Sequence, residues 1–529
     1  MSDYDVIMVG GGHNGLLVSA YLAKAGLNVC ILEARAFPGG GVVTEEVTAP
    51  GFKHDLASTA AGSIEFNALI KNDELGLVKR SGIKFAEAPE VQETQLFPDG
   101  RSIILYRSLD KTCASIAKVS QKDADAFRRL YDIGFPILKY ILAGSTSPPA
   151  PFSTSLQGML SRPGGLEDLR MTFLNAVDFV EEWFENDLVK IAMTRLAAIA
   201  RFSPWEATTA GIITATIPFT MNYGTKPVIG GVGKFTEALT EAIKAFGGTI
   251  RLNAPVKEII VENNQAKGVV LADGEKLGAN KCVVAAINVK TLFPDMVPGA
   301  QLPGGFEDWI KRLKPQRVQY FTTHYALHQT PQYKADPDVS RSYQVHLTGT
   351  TSYDEYLNGL QAMYRGIPRT TSPGILCPSM FDSSRVPPGK HTLWVNSQEP
   401  FYLKGGPRRW DEIKEQVVSD ILKAIRSHTT NMGPDNIIAE KTFSPLDFSR
   451  WNPAWIEGDP SHLGGYIQQY SSFRPVPGWS GYKMPIDRLY MCGPSAHGGT
   501  GLAAGGRAPA SVIMTDLGIE FEKVAAAQQ

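Results

Sequence analysis

Apolar and polar positions change their spacing several times along the first part of the chain, and glycines stand where the spacing changes. The run "DVIMVG" is short, apolar and rich in β-branched residues, as in a buried parallel strand. The following "HNGLLVSAYLAKAG" spaces its apolar residues along one face of a helix, and Gly26 is placed to end that helix. The next run, "LNVCILE", has the pattern of a second strand. These residues predict a strand–helix–strand unit beginning near Tyr4, typical of α/β proteins with a parallel sheet.

Similar patterns predict other elements farther along the chain. An amphipathic helix is predicted through Phe235, Leu239 and Ile243, followed by a strand, a hairpin and a further strand. The stretch "FVEEWFENDLVKIAMTRLAAIARFSPW" predicts a helix packed in the core rather than one lining a substrate pocket. The apolar, β-branched "GIITATIPFTMNYG" predicts a buried strand or pocket wall, and "HTLWVNSQEPFYL" alternates like a sheet strand.

The first strand-to-helix turn carries a recognisable glycine pattern. Gly10, Gly12 and Gly15 form GxGxxG, in which one glycine permits the tight turn, one lets a pyrophosphate approach and one lets the helix pack on the strand. The helix N-terminus then offers N–H groups and a positive dipole end to phosphates. Glu33 ends the second strand, where a carboxylate can accept hydrogen bonds from ribose hydroxyls. The pattern predicts a dinucleotide site but does not by itself separate FAD from NAD.

Composition and charge exclude several classes of protein. The 529 residues include 52 basic and 53 acidic side chains, a net charge of -1 that argues against a nucleic-acid partner. The 5 cysteines are scattered and form no CxxC pair, so a reducing compartment is expected rather than a disulfide framework or zinc site. No apolar stretch is long enough to span a bilayer, and the first strand leaves no room for a signal peptide. The expected location is cytoplasmic, and peripheral membrane contact is left open.

A second glycine loop follows the acid at the end of the second strand. In "EARAFPGGGVV", Glu33, Arg35 and the glycines at 39–41 form ExRxxxGG, which resembles the flavoprotein amine oxidase and phytoene desaturase superfamily. Two distant segments, "PVIGGVGKFTEALTEAIKAFGG" with the strands after it and "LYMCGPSAHGGTGLAAGGRAPASVIMTDLG", resemble the second and third FAD-contacting segments of that superfamily. The resemblance implies that the cofactor is FAD.

The same resemblance implies a fold and a set of cofactor contacts. The fold is α/β, with a discontinuous Rossmann-like FAD-binding domain of the amine oxidase/phytoene desaturase type (1–63, 226–300 and 480–529) and an α+β substrate domain (64–225 and 301–479). The implied contacts belong to the two glycine loops, the adenine segment and the C-terminal segment. They are Gly10, Gly12, His13, Asn14, Gly15, Glu33, Ala34, Arg35, Gly40, Gly41, Val42, Val256, Gly493, Gly501 and Leu502.

Longer segments indicate one branch of this superfamily. "YRSLDKTCASIAKVSQKDADAFRRLY", "EEWFENDLVKIAMTRL" and the ending "GPSAHGGTGLAAGGR" resemble the branch that holds desaturase-type carotene ketolases and the pyridine nucleotide-disulfide oxidoreductase domain-containing protein 2 group. Relatives tend to have THPGG and then SG-x-PGR, whereas this chain has "AHGG" and then "AAGGR", with Pro509 beyond it. The last helix must therefore start near Pro509 or kink there. The departure leaves room for a substrate smaller than a polyene.

The branch implies an FAD-dependent oxidoreductase, a dehydrogenase or desaturase. We expect it to remove hydride from a largely apolar substrate and to give a C=C bond or an oxidised product. Because the sequence holds no second GxGxxG for a nicotinamide, the expected electron acceptor is oxygen, a quinone or another carrier. Three alternatives stay open: a carotenoid ketolase, a non-redox hydratase or isomerase that uses reduced FAD, and a flavin-bearing scaffold without catalysis.

Histidines are the remaining candidates for chemistry. His497 is the histidine that the motif places near the flavin, as a proton relay or as a side chain that stabilises the turn. His324 and His328 share one face of a predicted strand, but no acidic third ligand of motif quality is nearby, so no metal site is predicted. No GxSxG, HExxH or Walker A motif occurs in the sequence.

Overall fold

Two seven-stranded sheets organise the chain, and a computed structural model describes residues 2–59, 67–144, 147–198, 201–498 and 505–527. The strands are β1 (Ser2–Val9), β2 (Val29–Leu32), β3 (Thr44–Glu45), β4 (His54–Asp55), β5 (Val91–Leu96), β6 (Ser102–Tyr106), β7 (Thr249–Arg251), β8 (Val256–Glu262), β9 (Gln265–Leu271), β10 (Lys276–Ala285), β11 (Val318–Leu327), β12 (Gln344–Leu347), β13 (Gly374–Leu376), β14 (His391–Pro400), β15 (Ile437–Phe443) and β16 (Leu489–Met491). The helices are α1 (His13–Lys24), α2 (Ala68–Lys71), α3 (Leu109–Ala117), α4 (Gln121–Gly144), α5 (Phe152–Leu160), α6 (Gly165–Phe173), α7 (Ala176–Trp183), α8 (Asp187–Ala198), α9 (Ala210–Asn222), α10 (Gly233–Ala245), α11 (Val289–Asp295), α12 (Phe306–Arg312), α13 (Tyr353–Tyr364), α14 (Trp410–His428), α15 (Pro445–Trp451), α16 (Arg507–Asp516) and α17 (Phe521–Ala526).

The first sheet has the order β7-β2-β1-β10-β9-β8, and β16 pairs with β10 beside β9. The strands β7, β2, β1, β10 and β16 run parallel to one another, whereas β9 is antiparallel to β10 and to β8. Val6 and Met8 of β1 pack on one face with residues of α1, α10 and α16. Ile7 and Val9 pack on the other face with residues of α11 and α12. Helices cover both faces, which explains the continuous apolar runs of these strands.

The second sheet has the order β15-β11-β14-β13-β12-β5-β6. The pair β12–β5 is parallel, and the other pairs are antiparallel. One face packs on α14, where the rings of Phe321 and Trp410 have their centroids 5.5 Å apart. The prediction of a strand in "HTLWVNSQEPFYL" is confirmed over His391–Pro400, which form β14, and all residues of β14 after His391 are buried.

The prediction of a strand for "GIITATIPFTMNYG" is wrong, because residues 210–222 form α9. β-Branched residues lower intrinsic helix preference only slightly, and burial of a helical face outweighs it. Ile213, Ile217 and Met221 lie one turn apart and are buried in the same cluster. The helix also runs very close to α4, since a Cβ placed on Gly134 would lie 2.1 Å from the carbonyl oxygen of Thr214.

Other helix predictions agree with the structure. The helix through Phe235, Leu239 and Ile243 is α10, and all three side chains are buried. The long stretch predicted as a core helix forms two, α7 and α8, interrupted where the Asp123 carboxylate accepts hydrogen bonds from the backbone N–H groups of residues 185 and 186. Pro509 lies in the first turn of α16, where the missing N–H of proline is tolerated.

The first sheet draws its strands from three separate stretches of the chain, 2–32, 249–285 and 489–491. The strands of the second sheet come from 91–106 and 318–443. The domain boundaries themselves stay a prediction. Within the described ranges, no helix combines the length and the apolar character needed to cross a lipid bilayer.

Candidate functional site

A cavity of about 720 Å³ lies where β1, β2, β10 and β16 end, between the two sheets. The carboxyl ends of parallel strands are where open α/β sheets bind their ligands. Most of the predicted cofactor residues line this cavity: Gly10, Gly12, His13, Asn14, Gly15, Glu33, Ala34, Arg35, Gly40, Gly41, Val42, Val256 and Gly493. Gly501 and Leu502 lie outside the described residues.

The glycines of the first turn have different reasons to be glycine. Gly10 has φ +100°, which other residues rarely adopt, and a Cβ on Gly15 would lie 2.4 Å from the carbonyl oxygen of Gly10. These two glycines are required by the turn and by the packing of α1 on β1. Gly12 differs, because its φ is −64° and a Cβ there would meet only the Cα of Gly40 at 3.8 Å. Neither the backbone conformation nor the packing of the protein requires glycine at position 12.

The second glycine loop is bonded directly to the first turn. The N–H of Gly39 donates to the carbonyl oxygen of Gly11 at 2.8 Å, and the N–H of His13 donates to that of Gly39 at 3.3 Å. Gly39 and Gly40 have φ values of +116° and +65°, so this crossing needs glycine. The two loops thus form one continuous wall that carries almost no side chains.

Glu33 and Arg35 hold this wall together. The Glu33 carboxylate accepts hydrogen bonds from the N–H of Gly11 (2.8 Å) and the N–H of Arg35 (2.9 Å). Arg35 Nη2 donates to the carbonyl oxygen of Gly40 at 2.9 Å, and its guanidinium lies 4.6 Å from the ring of Phe37 and 4.8 Å from that of Trp451. Arg35 Nη1 is buried without a hydrogen-bond partner among the described residues. The Glu33 carboxylate at the end of β2 therefore lies at the cavity, where these hydrogen bonds fix its position.

Aromatic side chains form another part of the cavity lining. Trp455 is seated on Gly41, where a Cβ would lie 2.6 Å from its ring. Phe202 occupies the space over Gly465, where a Cβ would lie 1.5 Å from the ring. Tyr320 of β11 also lines this wall. The sequence patterns did not predict these residues, although Gly41 and Gly465 make room for the rings of Trp455 and Phe202.

A buried ion pair supports that wall. Arg201 Nη1 donates to Asp459 Oδ1 at 2.9 Å and to Gln319 Oε1 at 2.6 Å, and its guanidinium lies 4.8 Å from the ring of Tyr320. Arg201 is 3 % exposed and Asp459 is fully buried. Burial alone would raise the pKa of Asp459, but Arg201 and two backbone N–H donors hold it below its usual range. The pair is charged and ties residues from distant parts of the chain to the cavity.

His462 lies in the cavity wall, whereas His497 does not line the cavity. His462 Nδ1 is hydrogen-bonded to Ser495 Oγ at 3.1 Å, and burial lowers its pKa to about 3, so the ring is neutral at ordinary pH. Burial, helped by Arg474, also lowers the pKa of His497. His497 Nδ1 is buried and has no hydrogen-bond partner in the described part of the chain. A catalytic role of His497 stays a prediction.

The pair His324 and His328 does not form a metal site. His324 is fully buried on β11 with its ring against that of His54, at a centroid distance of 5.2 Å. His328 is exposed beyond the strand, and its Nδ1 lies 2.8 Å from Lys390 Nζ. No group of three or more His, Cys, Asp or Glu residues in the described ranges is arranged to hold a metal ion.

One face of the second sheet concentrates polar side chains that no sequence motif singles out. The register pairs Thr322 with Asn396 and His324 with Trp394, so these four side chains share the face of Tyr320, which reaches the cavity. Within the described residues, Thr322 Oγ1, Asn396 Oδ1, Trp394 Nε1 and both ring nitrogens of His324 are buried without hydrogen-bond partners. Buried polar atoms normally have partners, so this face is the unusual part of the sheet.

Comparison with known proteins gives relatives over the whole length. Residues 8–69 match the NAD(P)-binding Rossmann-like domain family. The chain is 26% identical to pyridine nucleotide-disulfide oxidoreductase domain-containing protein 2 of Rattus norvegicus, covering 97% of this chain and 94% of the relative. It is 24% identical to a limonene dehydrogenase chain of Castellaniella defragrans (98% and 95% covered). It is 22% identical to the neurosporene-forming phytoene desaturase of Cereibacter sphaeroides (95% and 92% covered).

Solved structures share the fold. An oxidoreductase from Methanosarcina mazei superposes with a TM-score of 0.62 at 16% identity, covering 97% of this chain and 99% of the other. Cyclohexylamine oxidase from Brevibacterium oxydans superposes with a TM-score of 0.57 at 16% identity (97% and 100% covered). The predicted fold class, a Rossmann-like α/β fold of the amine oxidase/phytoene desaturase type, is confirmed.

Proposed function

We propose that this chain, an oxidoreductase that resembles the phytoene desaturases, binds FAD in the cavity and removes hydride from a largely apolar substrate. The product has a new C=C bond or is otherwise oxidised. The observation that carries the proposal is the open space at Gly12, which the protein's own packing does not require. A pyrophosphate that approaches the backbone at this turn is the ligand for which such a glycine is needed.

The surroundings of Gly12 support a dinucleotide. α1 begins beside the cavity with no acidic residue in its first turn, so its positive dipole end is available to phosphates. Glu33 lies at the same cavity with its carboxylate held by two backbone N–H groups, in position to accept from ribose hydroxyls. These features suit FAD and NAD equally.

The second glycine loop favours FAD. Gly40 and Gly41 extend the glycine wall beyond the dinucleotide turn, and their loop is bonded to that turn through Gly39. A site that binds only a nicotinamide dinucleotide would need the first turn but not this second glycine loop. When bound, FAD supplies the acceptor for the hydride, and the protein supplies binding, orientation and exclusion of water.

The aromatic wall supports an apolar substrate. Phe202, Tyr320 and Trp455 present aromatic rings to the cavity, and Trp455 packs on Gly41 of the second glycine loop. Tyr470 lines the same cavity and is 40% exposed, so the cavity reaches the protein surface there. We propose oxygen, a quinone or another carrier as the electron acceptor, since the sequence offers no second nicotinamide motif.

The test begins with the purified full-length protein. Released flavin is identified, and the loaded enzyme is mixed without oxygen with alkenes, cyclic ketones and amines. A substrate should remove the yellow absorbance of the oxidised flavin and be converted in equal amount. A protein that holds no FAD would contradict the cofactor. A substrate converted only by pre-reduced enzyme, with no flavin reduction, would place the protein among the non-redox flavoenzymes.

A further inference from the structure

The helix α5 is amphipathic, but its apolar side is not buried. At helical spacing, one side of the helix carries Phe152, Leu156, Met159 and Leu160, and the rest of its surface carries serine, threonine, glutamine and glycine. All 9 residues of α5 lie in the described ranges, and none of them is buried. Phe152 is 43% exposed and Leu160 is 44% exposed. Amphipathic helices of globular proteins normally turn their apolar side to the core, so this side of α5 is left for a contact outside the chain.

The exposed apolar surface continues from α5 onto the start of α6. The two helices are in close contact there, because a Cβ on Gly165 would lie 2.0 Å from the carbonyl oxygen of Met159 and 3.1 Å from the Cα of Leu160. The next residue, Leu166, is 75% exposed, more than any other large apolar side chain among the described residues. Two exposed leucines, Leu160 and Leu166, therefore lie at one helix junction.

The charge distribution around α5 fits the uncharged interior of a lipid layer. The sequence has no Asp, Glu, Lys, Arg or His between Lys139 and Arg162. Of these two flanking cations, Arg162 is paired with Asp168 at 3.0 Å, and Lys139 Nζ lies 4.3 Å from the ring centroid of Phe135. The helix also contains no Trp, Tyr or Arg, the residue types that most often anchor protein interfaces. A contact made by α5 therefore depends on burial of apolar side chains and not on charge.

The helix α5 lies beside the opening of the cavity. Phe152 packs on Phe473, with ring centroids 5.5 Å apart, and the Ser472 hydroxyl donates to the carbonyl oxygen of Ala150 at 2.9 Å. The N–H of Phe473 donates to the carbonyl oxygen of Tyr470 at 3.0 Å. Tyr470 lines the cavity and is 40% exposed, so the exposed helix and the opening are next to each other.

We propose that α5 and the start of α6 insert into the surface of a lipid bilayer, with the opening of the cavity beside them. Helices that combine an apolar side with a polar side lie in the plane of the membrane interface and bury the apolar side there. An apolar substrate dissolved in the bilayer then reaches the opening at Tyr470 without crossing water. The delivery of substrate rests on the proposed function, whereas the binding of lipid does not.

The test measures binding of the purified full-length protein to vesicles of neutral phosphatidylcholine by flotation. The protein should float with the vesicles, and the bound fraction should be the same at low and at high salt, because no charge attracts α5 to the lipid. Leu160→Ser combined with Leu166→Ser should lower the partition from water to vesicles about 10-fold or more, because two apolar side chains no longer enter the lipid. Both side chains are exposed, so the melting temperature and the bound flavin should stay unchanged.

Leu252→Ser combined with Ile367→Ser is the matched control. These side chains are 39% and 56% exposed and lie outside α5, α6 and the cavity lining. The control variant should bind vesicles as the wild type does. A second measurement locates the helix in the lipid: brominated acyl chains should quench the tryptophan fluorescence of Phe152→Trp more strongly than that of the wild type.

Several results would overturn the inference. Binding that needs anionic lipid and disappears at high salt would assign the membrane contact to a charged surface elsewhere. Unchanged flotation of the double leucine variant would exclude the α5–α6 junction, and a wild-type dimer separated by that variant would make α5 a contact between copies of the chain. A protein that holds FAD but does not float overturns this inference alone, whereas one that floats through α5 but holds no FAD overturns the proposed function alone.

Discussion

The two sheets treat polar side chains in opposite ways. In the strands of the first sheet, no charged, amide, histidine, serine or threonine side chain whose burial is described is buried. The strands of the second sheet bury many: Gln92, Thr94, Gln95, Gln319, Thr322, Thr323, His324, His346, Thr392, Asn396, Ser397, Gln398 and Glu399. The first sheet contributes to the cavity mainly through the backbone of the loops that follow its strands. The second sheet places polar side chains on its faces.

This difference changes what a substitution does. At the ends of the first sheet, Gly12 leaves open space in the cavity lining, and Glu33 lies at the same cavity with its carboxylate bonded to backbone N–H groups. Around the second sheet, Arg201, Asp459 and Glu399 are buried and bonded, so their removal acts on stability. Substitutions at the two sheets should therefore separate cofactor binding from stability, with the largest effect at Gly12.

Gly12→Val should abolish FAD binding while the fold persists. A Cβ at this position would meet only the Cα of Gly40, at 3.8 Å, so we expect the larger side chain to obstruct the approach of the pyrophosphate before it disturbs the fold. Gly15→Ala is the matched control, because its Cβ would lie 2.4 Å from a backbone oxygen and should lower the melting temperature. The measurements are bound flavin per chain and thermal unfolding. Yellow protein from Gly12→Val would refute the assignment of the turn.

Arg201→Met should lower the free energy of unfolding by about 3–5 kcal/mol, because it leaves the Asp459 carboxylate buried without its partner. Urea unfolding measures the change. Arg251→Met on β7 of the first sheet is the control, since the side chains of its ion pair with Glu275 are 32% and 41% exposed and the pair should contribute far less. Equal losses in the two variants would remove the contrast between the sheets.

Glu399→Gln should change how stability depends on pH. Burial, opposed by Ser397 and by the N–H and charge of Arg369, raises the pKa of Glu399 from 4.5 to about 7. Between these values the folded state binds more protons than the unfolded state, so stability falls as pH rises through this window. The wild type should lose roughly 3 kcal/mol more than Glu399→Gln between pH 4.5 and 7. Parallel unfolding curves of the two proteins against pH would contradict the raised pKa.

Glu33→Ala should weaken FAD binding by about 1–3 kcal/mol, because charged hydrogen bonds to the ribose are lost. It should also lower the melting temperature, because the N–H groups of Gly11 and Arg35 lose their acceptor. Retention of FAD through extensive dialysis measures the effect. Glu275→Ala, which removes an exposed carboxylate between β9 and β10, should leave FAD binding unchanged. Unchanged retention in Glu33→Ala would show that another group holds the ribose.

The contrast between the sheets also explains what the sequence could predict. The turn at Gly10–Gly15 and the acid Glu33 lie within one strand–helix–strand unit, so their spacing alone indicates the site. Arg201 and Asp459 are 258 positions apart, and no local pattern could pair them. The β-branched composition of the α9 segment predicts a strand, while its helical form depends on packing against α4. Local residue spacing predicts sites within one strand–helix–strand unit, but it does not predict contacts between distant segments of the chain.

His497→Ala should have the smallest effect on FAD binding and turnover. The side chain does not line the cavity, its lowered pKa keeps it neutral at ordinary pH, and its carbonyl oxygen accepts a hydrogen bond from the Tyr482 hydroxyl at 3.4 Å. We therefore expect backbone contacts to hold the turn in His497→Ala. With a substrate identified, the turnover of this variant should stay within about 10-fold of the wild type. Tyr482→Phe is the control for the turn itself. A loss of turnover of about 100-fold with FAD fully retained would instead assign proton transfer to His497. Because FAD retention and turnover are measured on the same preparation, damage to the turn and loss of a proton relay give different results.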